Sequence, residues 1–381
     1  MEFALSEEQL MIRDSAERFL AQASDSQAVR AAMAREDDYD PELWRRIGQE
    51  LYWPALLVPE ACGGMGLGFV ELALLLEQCG RYLLGSPLFA TSCLATPALL
   101  LAENAQLREH WLGAIAAGEV RATLAFSADG GMDATSVQAT VRREAGGHVL
   151  NGGYALVLDG ALADLLIVAA RTPDSCGEAG ISLFALPAGT PGVVRRALPT
   201  LDQTRRLARV ELHDVHLDDR CLLGHGWPLL RDVLDLAAIG LAAEQTGAAQ
   251  QSLDLTLTYI GERRQFNRSI ASFQAIKHRC ADMMLQVECA RSAAWYAACI
   301  AAERLAGTAG SELEMAAATA KIHASEAFFH CAAESIQLHG GVGFTWEYDP
   351  HLYFKRARAA EQMLGTPAWH AERLATRLLD I

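Results

Sequence analysis

A run of hydrogen-bond donors lies in the stretch 261–277, between two long segments with the apolar spacing of helices. Its side-chain donors include Arg263, Arg264, Gln265, Arg268 and Gln274. Guanidinium and amide groups that converge at helix ends form a good binding site for a ligand that carries phosphate, because helix N-termini and arginine both attract anions. A polar turn with solvated arginines is the alternative interpretation of this stretch.

The stretch 337–344, with the sequence Gln-Leu-His-Gly-Gly-Val-Gly-Phe, offers the same chemistry downstream. Gly340 and Gly341 allow a ligand to approach backbone N–H groups closely at a helix end. The same glycines would also terminate the helix, which is the plainer interpretation. Taken together, the two stretches predict a dinucleotide cofactor that is held by helix ends rather than by a loop between a strand and a helix.

The composition indicates a protein of two or three domains with a large core. The chain has 381 residues, of which 51% are hydrophobic and 21% are charged. The net charge of −15 argues against nonspecific binding to nucleic acid or to anionic membrane surfaces. The nine cysteines form no C-x-x-C pair and no cluster at zinc spacing, so we expect no metal site. With no signal-like or membrane-spanning segment, the sequence predicts a cytoplasmic protein.

The hydrophobic pattern changes twice along the chain. Helical patterns dominate up to about residue 118, and the residues from Ser6 to Gln9 have the pattern of a capping box before the first helix. Short apolar or alternating segments then indicate a β domain, and long helical patterns follow it. We therefore predict a mostly α-helical protein with a central β domain. Its expected parts are an N-terminal helical domain (1–120), a middle β-sandwich or barrel (121–225) and a C-terminal four-helix bundle (226–381).

Individual elements can be predicted within this division. The expected strands lie at 122–126, 137–141, 148–150, 154–158, 165–169, 181–186 and 208–212. The expected long helices lie at 229–259, 273–306 and 312–338, and two shorter helices are expected at 351–363 and 367–379. Long antiparallel helices of this kind are typical of a bundle.

Four linked motifs resemble those of the acyl-CoA dehydrogenase family. They are Arg-Arg-Gln-Phe at 263–266, Phe-Gln-Ala-Ile at 273–276, Ala-Asp at 281–282 and Gln-x-x-Gly-Gly-x-Gly at 337–343. Each motif is weak alone, but their order and the helical–β–helical organisation extend the resemblance over essentially the whole chain. The resemblance implies an acyl-CoA dehydrogenase-like fold and an FAD enzyme that desaturates an acyl-CoA thioester between Cα and Cβ. It also implies an electron-transfer flavoprotein as the electron acceptor.

The resemblance also assigns residues to the cofactor. The residues expected to contact FAD are Arg263, Gln265, Phe266, Gln274, Gln337, Gly340, Gly341 and Thr366. In the family, the first seven of these serve the flavin of the neighbouring subunit. We therefore expect an oligomer, either a homodimer or homotetramer or a heterotetramer with a homologous dehydrogenase subunit.

The carboxylate that should remove the α-proton is missing at both of its family positions. The usual Glu directly before Gly-Thr is replaced by Leu364, and a second family position in the first helix of the bundle holds Ala237. Glu244 and Glu361 are the nearest other carboxylates in sequence. Glu244 is the preferred candidate for a relocated base, because its neighbours are small and suggest close packing. Both carboxylates also have a plain interpretation as exposed or capping acids.

The middle domain departs from the family pattern at four positions. Phe126, Met132, Leu156 and Leu158 stand where the family has groups that bind or flank the flavin. The chain thus resembles the non-catalytic-type subunit of heteromeric acyl-CoA dehydrogenases for steroid or dicarboxylyl thioesters. The alternatives are a self-sufficient homomeric dehydrogenase with Glu244 as its base and a non-enzymatic scaffold that has lost flavin binding.

Overall fold

The computed structural model describes residues 5–35, 39–308 and 312–379. These residues divide into two compact units, and neither unit is continuous in sequence. The first unit contains residues 5–33, 69–84, 238–308 and 312–379, and the second contains residues 34–35, 39–68 and 85–237. The helical–β–helical order along the chain agrees with the predicted fold class. The division into three consecutive domains stays a prediction.

Eleven α-helices lie in the described part of the chain. They are α1 (Glu7–Ala23), α2 (Ser26–Met33), α3 (Pro41–Arg45), α4 (Phe69–Arg81), α5 (Thr96–Leu100), α6 (Ala105–Ala116), α7 (Trp227–Glu262), α8 (Gln274–Leu305), α9 (Leu313–His339), α10 (Pro350–Gln362) and α11 (Pro367–Leu379). The five helices from α7 onward begin and end within three residues of their predicted bounds. Helix α1 begins with the predicted capping box, in which the Gln9 N–H donates to Ser6 Oγ over 3.2 Å and the Ser6 N–H donates to Gln9 Oε1 over 3.0 Å.

Helices α4 and α7 cross in direct backbone contact inside the first unit. A Cβ atom at Gly80 would lie 1.8 Å from the carbonyl oxygen of Glu244, and one at Gly247 would lie 1.7 Å from the carbonyl oxygen of Glu77. Each helix therefore needs glycine at the crossing point, since any side chain there would overlap the backbone of the other helix. The core beside this crossing is filled by apolar side chains from α7, α8 and α9, including Leu253, Met283, Val287, Phe328 and Cys331.

The second unit contains an eight-stranded mixed sheet. Its strands are β1 (Ala122–Ala125), β2 (Thr140–Glu144), β3 (Gly147–Leu158), β4 (Leu165–Arg171), β5 (Ile181–Pro187), β6 (Val193–Leu198), β7 (Leu207–Asp218) and β8 (Leu222–His225). The order is β6-β7-β3-β2-β4-β5-β8, with β1 parallel to β4. Strands β2 and β4 pair only between Thr140 and Arg171, so two four-stranded halves meet there. Both halves contribute to one core cluster, as expected for a sandwich.

The strand predictions differ from the structure in several places. The strand predicted at 137–141 lies at Thr140–Glu144. The predicted strands at 148–150 and 154–158 form one strand, β3, because Asn151-Gly152-Gly153 continues the pairing with β7 instead of making a turn. Strands β6 and β8 were not predicted, because neither has an alternating apolar pattern; β6 carries Arg195 and Arg196 at its centre. A further short hairpin, formed by β9 (Arg264–Gln265) and β10 (Arg268–Ser269), lies between α7 and α8.

Candidate functional site

The donor-rich stretch 261–277 forms a hairpin in the first unit. Strands β9 and β10 pair antiparallel, and the two turn residues, Phe266 and Asn267, have φ angles of 51° and 59°. Two consecutive positive φ angles are the mark of a type I′ turn, the turn that fits the twist of a two-residue hairpin. At the tip of the hairpin the Phe266 residue is 86% exposed. The hairpin therefore presents an aromatic ring and several donors to the surface of the unit.

The donors on this hairpin are accessible to a ligand. The side chains of Arg263, Gln265 and Gln274 are exposed, and the Arg268 guanidinium lies 3.9 Å from the ring centroid of Phe273. Gln274 is the first residue of α8, and the N-cap residue Phe273 supplies no side-chain hydrogen bond. The first N–H groups of α8 thus have no side-chain cap, which leaves them available to an anionic ligand.

Helix α9 ends at the second predicted stretch. Gly340 adopts φ 65° and ψ −142°, a conformation that glycine adopts readily and other residues do not. A Cβ atom placed on Gly340 or Gly341 would have no other atom within 4 Å, apart from its chain neighbours. The backbone of this pair is therefore open on its outer side, and Gln337, one turn earlier, is exposed.

An aromatic stack brings the hairpin and the end of α9 together. The rings of Tyr259 on α7 and His339 on α9 lie 4.3 Å apart and are nearly parallel, with an interplanar angle of 20°. The Tyr259 carbonyl accepts a hydrogen bond from the Arg263 N–H over 2.8 Å, and Gly340 follows His339 directly. The seven residues predicted for a neighbour's FAD thus lie at one end of the first unit. We call this set the donor end: Arg263, Gln265, Phe266, Gln274, Gln337, Gly340 and Gly341.

His339 has a structural role in this arrangement. Its Nδ1 lies 2.7 Å from the Ser335 carbonyl, so Nδ1 carries the proton and donates it. Burial lowers the pKa of His339, and the hydrogen bond to Ser335 acts in the opposite direction. The neutral ring therefore supports the stack with Tyr259.

Leu364, at the usual position of the base, is buried and conformationally strained. It is 7% exposed, and its φ of 57° is an outlier for a residue of its size. The Leu364 carbonyl accepts a hydrogen bond of 2.8 Å from His370 Nε2. Thr366 Oγ1 accepts from the Trp369 N–H over 3.2 Å and so caps α11. The backbone keeps an unusual turn at this position, but the side chain cannot accept a proton.

Thr366 lies apart from the donor end within one copy of the chain. The end of α10, just before Thr366, is hydrogen-bonded to Lys321 on α9. Lys321 precedes His339 by 18 residues on the same helix, which corresponds to about 27 Å at 1.5 Å per residue. The structure therefore brings seven of the eight predicted FAD residues together and places the eighth elsewhere.

Glu244, the candidate relocated base, forms a buried ion pair. Its carboxylate accepts hydrogen bonds from Arg356 on α10, over 3.2 Å from Nε and 2.8 Å from an Nη atom. Glu244 and Arg356 are 4% and 3% exposed. The expectation of an exposed or capping acid is therefore wrong for Glu244. The ion pair also weighs against its use as a base, because the carboxylate already serves a buried cation.

Glu361, the other candidate carboxylate, pairs with a neighbouring arginine. Its side chain accepts a hydrogen bond from Arg358 over 2.7 Å. The two residues are three positions apart near the end of α10, and the Glu361 side chain is 22% exposed. This short-range pair on one helix agrees with the plain interpretation of Glu361 as a partly exposed acid.

In the second unit, the positions where the family binds the flavin ring are apolar. Leu156 is 54% exposed with a φ of 54°, at an irregularity in the pairing of β3 with β7. Leu158 is buried, and its carbonyl accepts a 2.6 Å hydrogen bond from Thr123. The adjacent loop is closed on itself, since Asp129 binds Ser127 Oγ and the Gly131 N–H. These side chains offer no hydrogen bond to a flavin ring.

Sequence reasoning missed two buried cations, Lys321 and Arg356. Lys321 is 0% exposed and lies on the apolar stripe of α9 with Ala317, Ala324 and Phe328. Arg356 lies on the buried stripe of α10 with Leu352 and Ala360. A long cation on an apolar stripe at helical spacing is the signal that could have identified both residues, because such a charge needs a partner in the core.

Comparison with known proteins identifies the family. Three family models match the chain: the acyl-CoA dehydrogenase N-terminal domain over residues 6–119, the middle domain over residues 126–217 and the C-terminal domain over residues 224–379. The chain belongs to the acyl-CoA dehydrogenase family. It is 34% identical to acyl-CoA dehydrogenase IpdE2 of Mycobacterium tuberculosis over 376 residues, which cover 98% of each chain.

Solved structures show the same fold over the whole chain. A chain of the ChsE4-ChsE5 complex from Mycobacterium tuberculosis matches with a TM-score of 0.89 and 26% identity over 100% of both chains. PigA, solved with FAD and proline, matches with a TM-score of 0.90 and 26% identity over 99% of both chains. The protein is thus an oxidoreductase of the acyl-CoA dehydrogenase family, with FAD as its cofactor.

The donor end fits the phosphate-bearing half of FAD. It combines exposed guanidinium and amide groups, an uncapped helix N-terminus and an open glycine pair, which are the groups that bind a pyrophosphate.

Within the described ranges, no group of three or more His, Cys, Asp or Glu side chains could hold a metal ion. No described helix is long and apolar enough to cross a membrane.

Proposed function

We propose that this chain is the flavin-clamping subunit of a heteromeric, cytoplasmic acyl-CoA dehydrogenase. A homologous dehydrogenase subunit would complete the enzyme within a heterotetramer. The assembly desaturates an acyl-CoA thioester between Cα and Cβ and passes its electrons to an electron-transfer flavoprotein. We propose steroid or dicarboxylyl thioesters as the substrate classes to test first.

One contrast within the chain carries this proposal. The donor end is exposed and complete, whereas the base position holds the buried Leu364. Abstraction of an α-proton needs a carboxylate within hydrogen-bond reach of that proton, and leucine has no group that can accept it. A chain that binds the cofactor but lacks the base can act only if another subunit supplies the base.

The roles of the residues follow from their chemistry. Arg263, Gln265 and Gln274 would bind the pyrophosphate and adenylate of FAD through charge-assisted and amide hydrogen bonds. Gly340 and Gly341 would let the cofactor approach the backbone, and Phe266 would pack on its apolar surface. When bound, FAD would supply the acceptor for the β-hydrogen of the substrate, which leaves as hydride. The partner's carboxylate would take the α-proton.

The alternative of a self-sufficient enzyme requires Glu244 to act as the base. The ion pair with Arg356 weighs against it, because proton transfer to Glu244 would remove the negative charge that the buried guanidinium binds. The alternative of a non-enzymatic scaffold would leave the uncapped end of α8 and the exposed arginines of the hairpin without a ligand. We therefore favour the heteromeric enzyme.

Purification with and without a partner tests the proposal. The chain is purified alone and after co-expression with a homologous dehydrogenase that has its Glu base, and each sample is assayed for bound flavin and for enoyl-CoA formation with a dye acceptor. We expect a colourless, inactive chain alone and a yellow, active complex. A yellow chain that is active alone would contradict the proposal, and a complex without flavin would support the scaffold.

A double variant tests the donor end directly. Arg263→Ala with Gln265→Ala should reduce the flavin affinity of the complex by at least about tenfold, since hydrogen bonds to charged groups contribute about 1.5–3 kcal/mol each. Arg209→Ala is the control, because Arg209 is an exposed arginine on β7 in the other unit. An equal effect of both changes would show that the donor end is not specific for the cofactor.

The relocated base has its own test. If the chain is active alone, Glu244→Gln should abolish enoyl-CoA formation under the alternative. Turnover that survives in a folded Glu244→Gln protein would exclude Glu244 as the base.

A further inference from the structure

Lys321 on α9 is a charged side chain that is completely buried. Its residue is 0% exposed, in the interior of the first unit. The ammonium has three hydrogen-bond acceptors: Ser325 Oγ at 2.9 Å, the Ala360 carbonyl at 3.1 Å and the Glu361 carbonyl at 3.3 Å. Three acceptors match the three N–H donors of a protonated lysine.

Two of these acceptors are carbonyls at the end of α10. The last carbonyls of a helix have no partner within the helix, and they carry partial negative charge. In α10 the Ala359 carbonyl accepts from the Met363 N–H over 3.2 Å, and the next two carbonyls are bound by Lys321. Lys321 therefore caps the C-terminal end of α10, at the point where the chain leaves the helix.

The chain leaves α10 directly into the strained turn at residues 363–366. His370 Nε2 holds the carbonyl of Leu364 from the other side, over 2.8 Å. A Cβ atom at Gly365 would lie 2.6 Å from the ring of Trp369, so the turn also packs closely against α11. A positive φ at leucine persists only when its surroundings enforce it. Here the surroundings that enforce the positive φ of Leu364 are Lys321, His370 and Trp369.

Lys321 is itself fixed by a polar chain that reaches α7. Gln245 on α7 is 1% exposed and donates through Nε2 to Ser325 Oγ over 3.0 Å. The same Ser325 oxygen accepts from Lys321. The Lys321 ammonium is thus held by Ser325 of α9 and, through Ser325, by Gln245 of α7. It binds the carbonyls at the end of α10.

We propose that Lys321 is the positioning residue for the 363–366 turn, and that through this turn it sets the contact of Thr366 with FAD. The contact of Thr366 with FAD is the expectation drawn from the family motifs, and it rests on the proposed function. The effect of Lys321 on the turn does not, so the two can be tested separately.

The first test uses the chain alone and needs no cofactor. Lys321→Met keeps the length of the side chain and removes the ammonium, and amide hydrogen exchange is measured by mass spectrometry. We expect exchange in residues 360–368 to rise at least about tenfold, while exchange in the α7–α8 hairpin stays unchanged, because local opening reports local contacts. Unchanged exchange at 360–368 in the folded variant would overturn the proposal.

Lys355→Met is the matched control. Lys355 belongs to α10, the helix whose end Lys321 binds, but its ammonium lies over the Trp346 ring, 5.2 Å from the centroid. We expect this change to leave exchange at 360–368 unaltered. An equal rise in both variants would attribute the effect to general loosening of α10 and would overturn the role of Lys321.

The second test measures FAD affinity in the co-expressed complex as a function of pH. Burial lowers the pKa of Lys321 to about 7, and the charge of Glu361 acts in the opposite direction. The charge of Lys321 also acts on His370 of α11, where it helps to lower the pKa of that histidine. The amine loses one of its three donors as the pH rises through about 7.

We expect the FAD affinity of the unaltered complex to fall severalfold between about pH 6 and about pH 8.5. In Lys321→Met the affinity should be at least about tenfold lower and independent of pH over this range, which a general loss of stability would not produce. Suppose that Lys321→Met raises hydrogen exchange at 360–368 but its complex binds FAD as tightly as the unaltered complex at every pH. The part of the proposal that concerns FAD is then wrong. If neither complex binds FAD, the proposed function fails and the exchange result stands alone.

Discussion

At the scale of single residues, the first unit contains an ion pair in which both side chains are buried. Glu244 and Arg356 are 4% and 3% exposed, and they join α7 to α10. The attraction between two buried charges offsets the cost of removing them from water only while both are present. Each residue therefore stabilises the other, and changing either one removes a buried, charge-assisted contact between α7 and α10.

We predict that Glu244→Gln lowers the free energy of unfolding by about 3–5 kcal/mol, because it removes the negative charge that the buried Arg356 guanidinium binds. Chemical denaturation of the chain alone measures the loss. Glu326→Gln on the exposed face of α9 is the control and should change stability by less than about 0.5 kcal/mol. A loss as small as that of the control would mean that water reaches the pair.

His370 makes the stability of the protein depend on pH. Burial lowers the pKa of His370 to about 3, from an ordinary value of 6.5. The unfolded chain therefore binds a proton that the folded chain does not, and stability must decrease as the pH falls below about 6.5. For one group, this amounts to about 2 kcal/mol between about pH 7 and about pH 5.

We predict that His370→Gln removes this contribution while its amide still donates to the Leu364 carbonyl. The variant should lose about 2 kcal/mol less stability than the unaltered chain between about pH 7 and about pH 5. Denaturant titrations at several pH values measure the difference. His323→Gln, at an exposed position on α9, should follow the unaltered chain. Parallel curves for His370→Gln and the unaltered chain would contradict the prediction.

The sequence predicted which residues carry the family motifs, but not what they contact. The donor end could be predicted because its residues lie in two short stretches with a recognisable order. The partners of Glu244 and Lys321 could not be predicted in the same way. Arg356 lies 112 residues from Glu244, and the carbonyls bound by Lys321 lie 39 and 40 residues away. Such pairs are determined by helix packing, which one sequence does not specify.

At the scale of elements, the α4–α7 crossing depends on two glycines. The backbones touch at Gly80 and Gly247, so the two helices pack closer than side chains would allow. Gly247 and Gly261 belong to the same helix, but a Cβ atom at Gly261 would meet nothing within 4 Å. This difference gives a matched pair of substitutions within α7.

We predict that Gly247→Ala destabilises the protein by about 3 kcal/mol, since the added methyl group would overlap the carbonyl of Glu77. Gly261→Ala should instead be neutral or stabilising by up to about 1 kcal/mol, because alanine has the higher helix propensity. Thermal unfolding of both variants measures the effects. If both changes stabilised the chain, the close crossing would be wrong.

The elements also show where sequence patterns are informative. The helices α7 to α11 could be predicted closely because long apolar periodicity and flanking Gly or Pro residues mark their bounds. The edge strand β6 could not, because its burial is set by pairing with β7 on one side only and its centre holds Arg195 and Arg196. Strand β3 was predicted in two parts because Asn-Gly-Gly is a common turn sequence, although here the strand continues through it.

At the scale of the whole molecule, a shared cofactor couples stability to assembly. A ligand that binds only the folded complex stabilises it by RT ln(1 + [L]/Kd), which is about 2.7 kcal/mol at a hundredfold excess over Kd. In the proposed function, this chain supplies the donor end for one half of FAD, and the partner subunit binds the flavin ring, since the corresponding positions Leu156 and Leu158 of this chain are apolar. FAD should therefore stabilise the complex and leave the chain alone unaffected.

We predict that added FAD raises the melting temperature of the co-expressed complex by several degrees and does not change that of the isolated chain. Differential scanning fluorimetry across a series of FAD concentrations measures both. AMP and riboflavin serve as controls for the two halves of the cofactor. A concentration-dependent rise in the isolated chain would favour a homomeric flavoprotein.

The discontinuous first unit has a consequence for synthesis of the chain. Helix α4 is complete at Arg81, whereas the remainder of its unit begins at residue 238. The roughly 150 residues between them take about 10 to 30 seconds to translate at about 5–20 residues per second. During this interval the buried face of α4, with Phe69, Leu72 and Leu75, lacks its later partners. The second unit is complete by then and can fold first, so the nascent N-terminal helices must be protected from aggregation until α7 emerges.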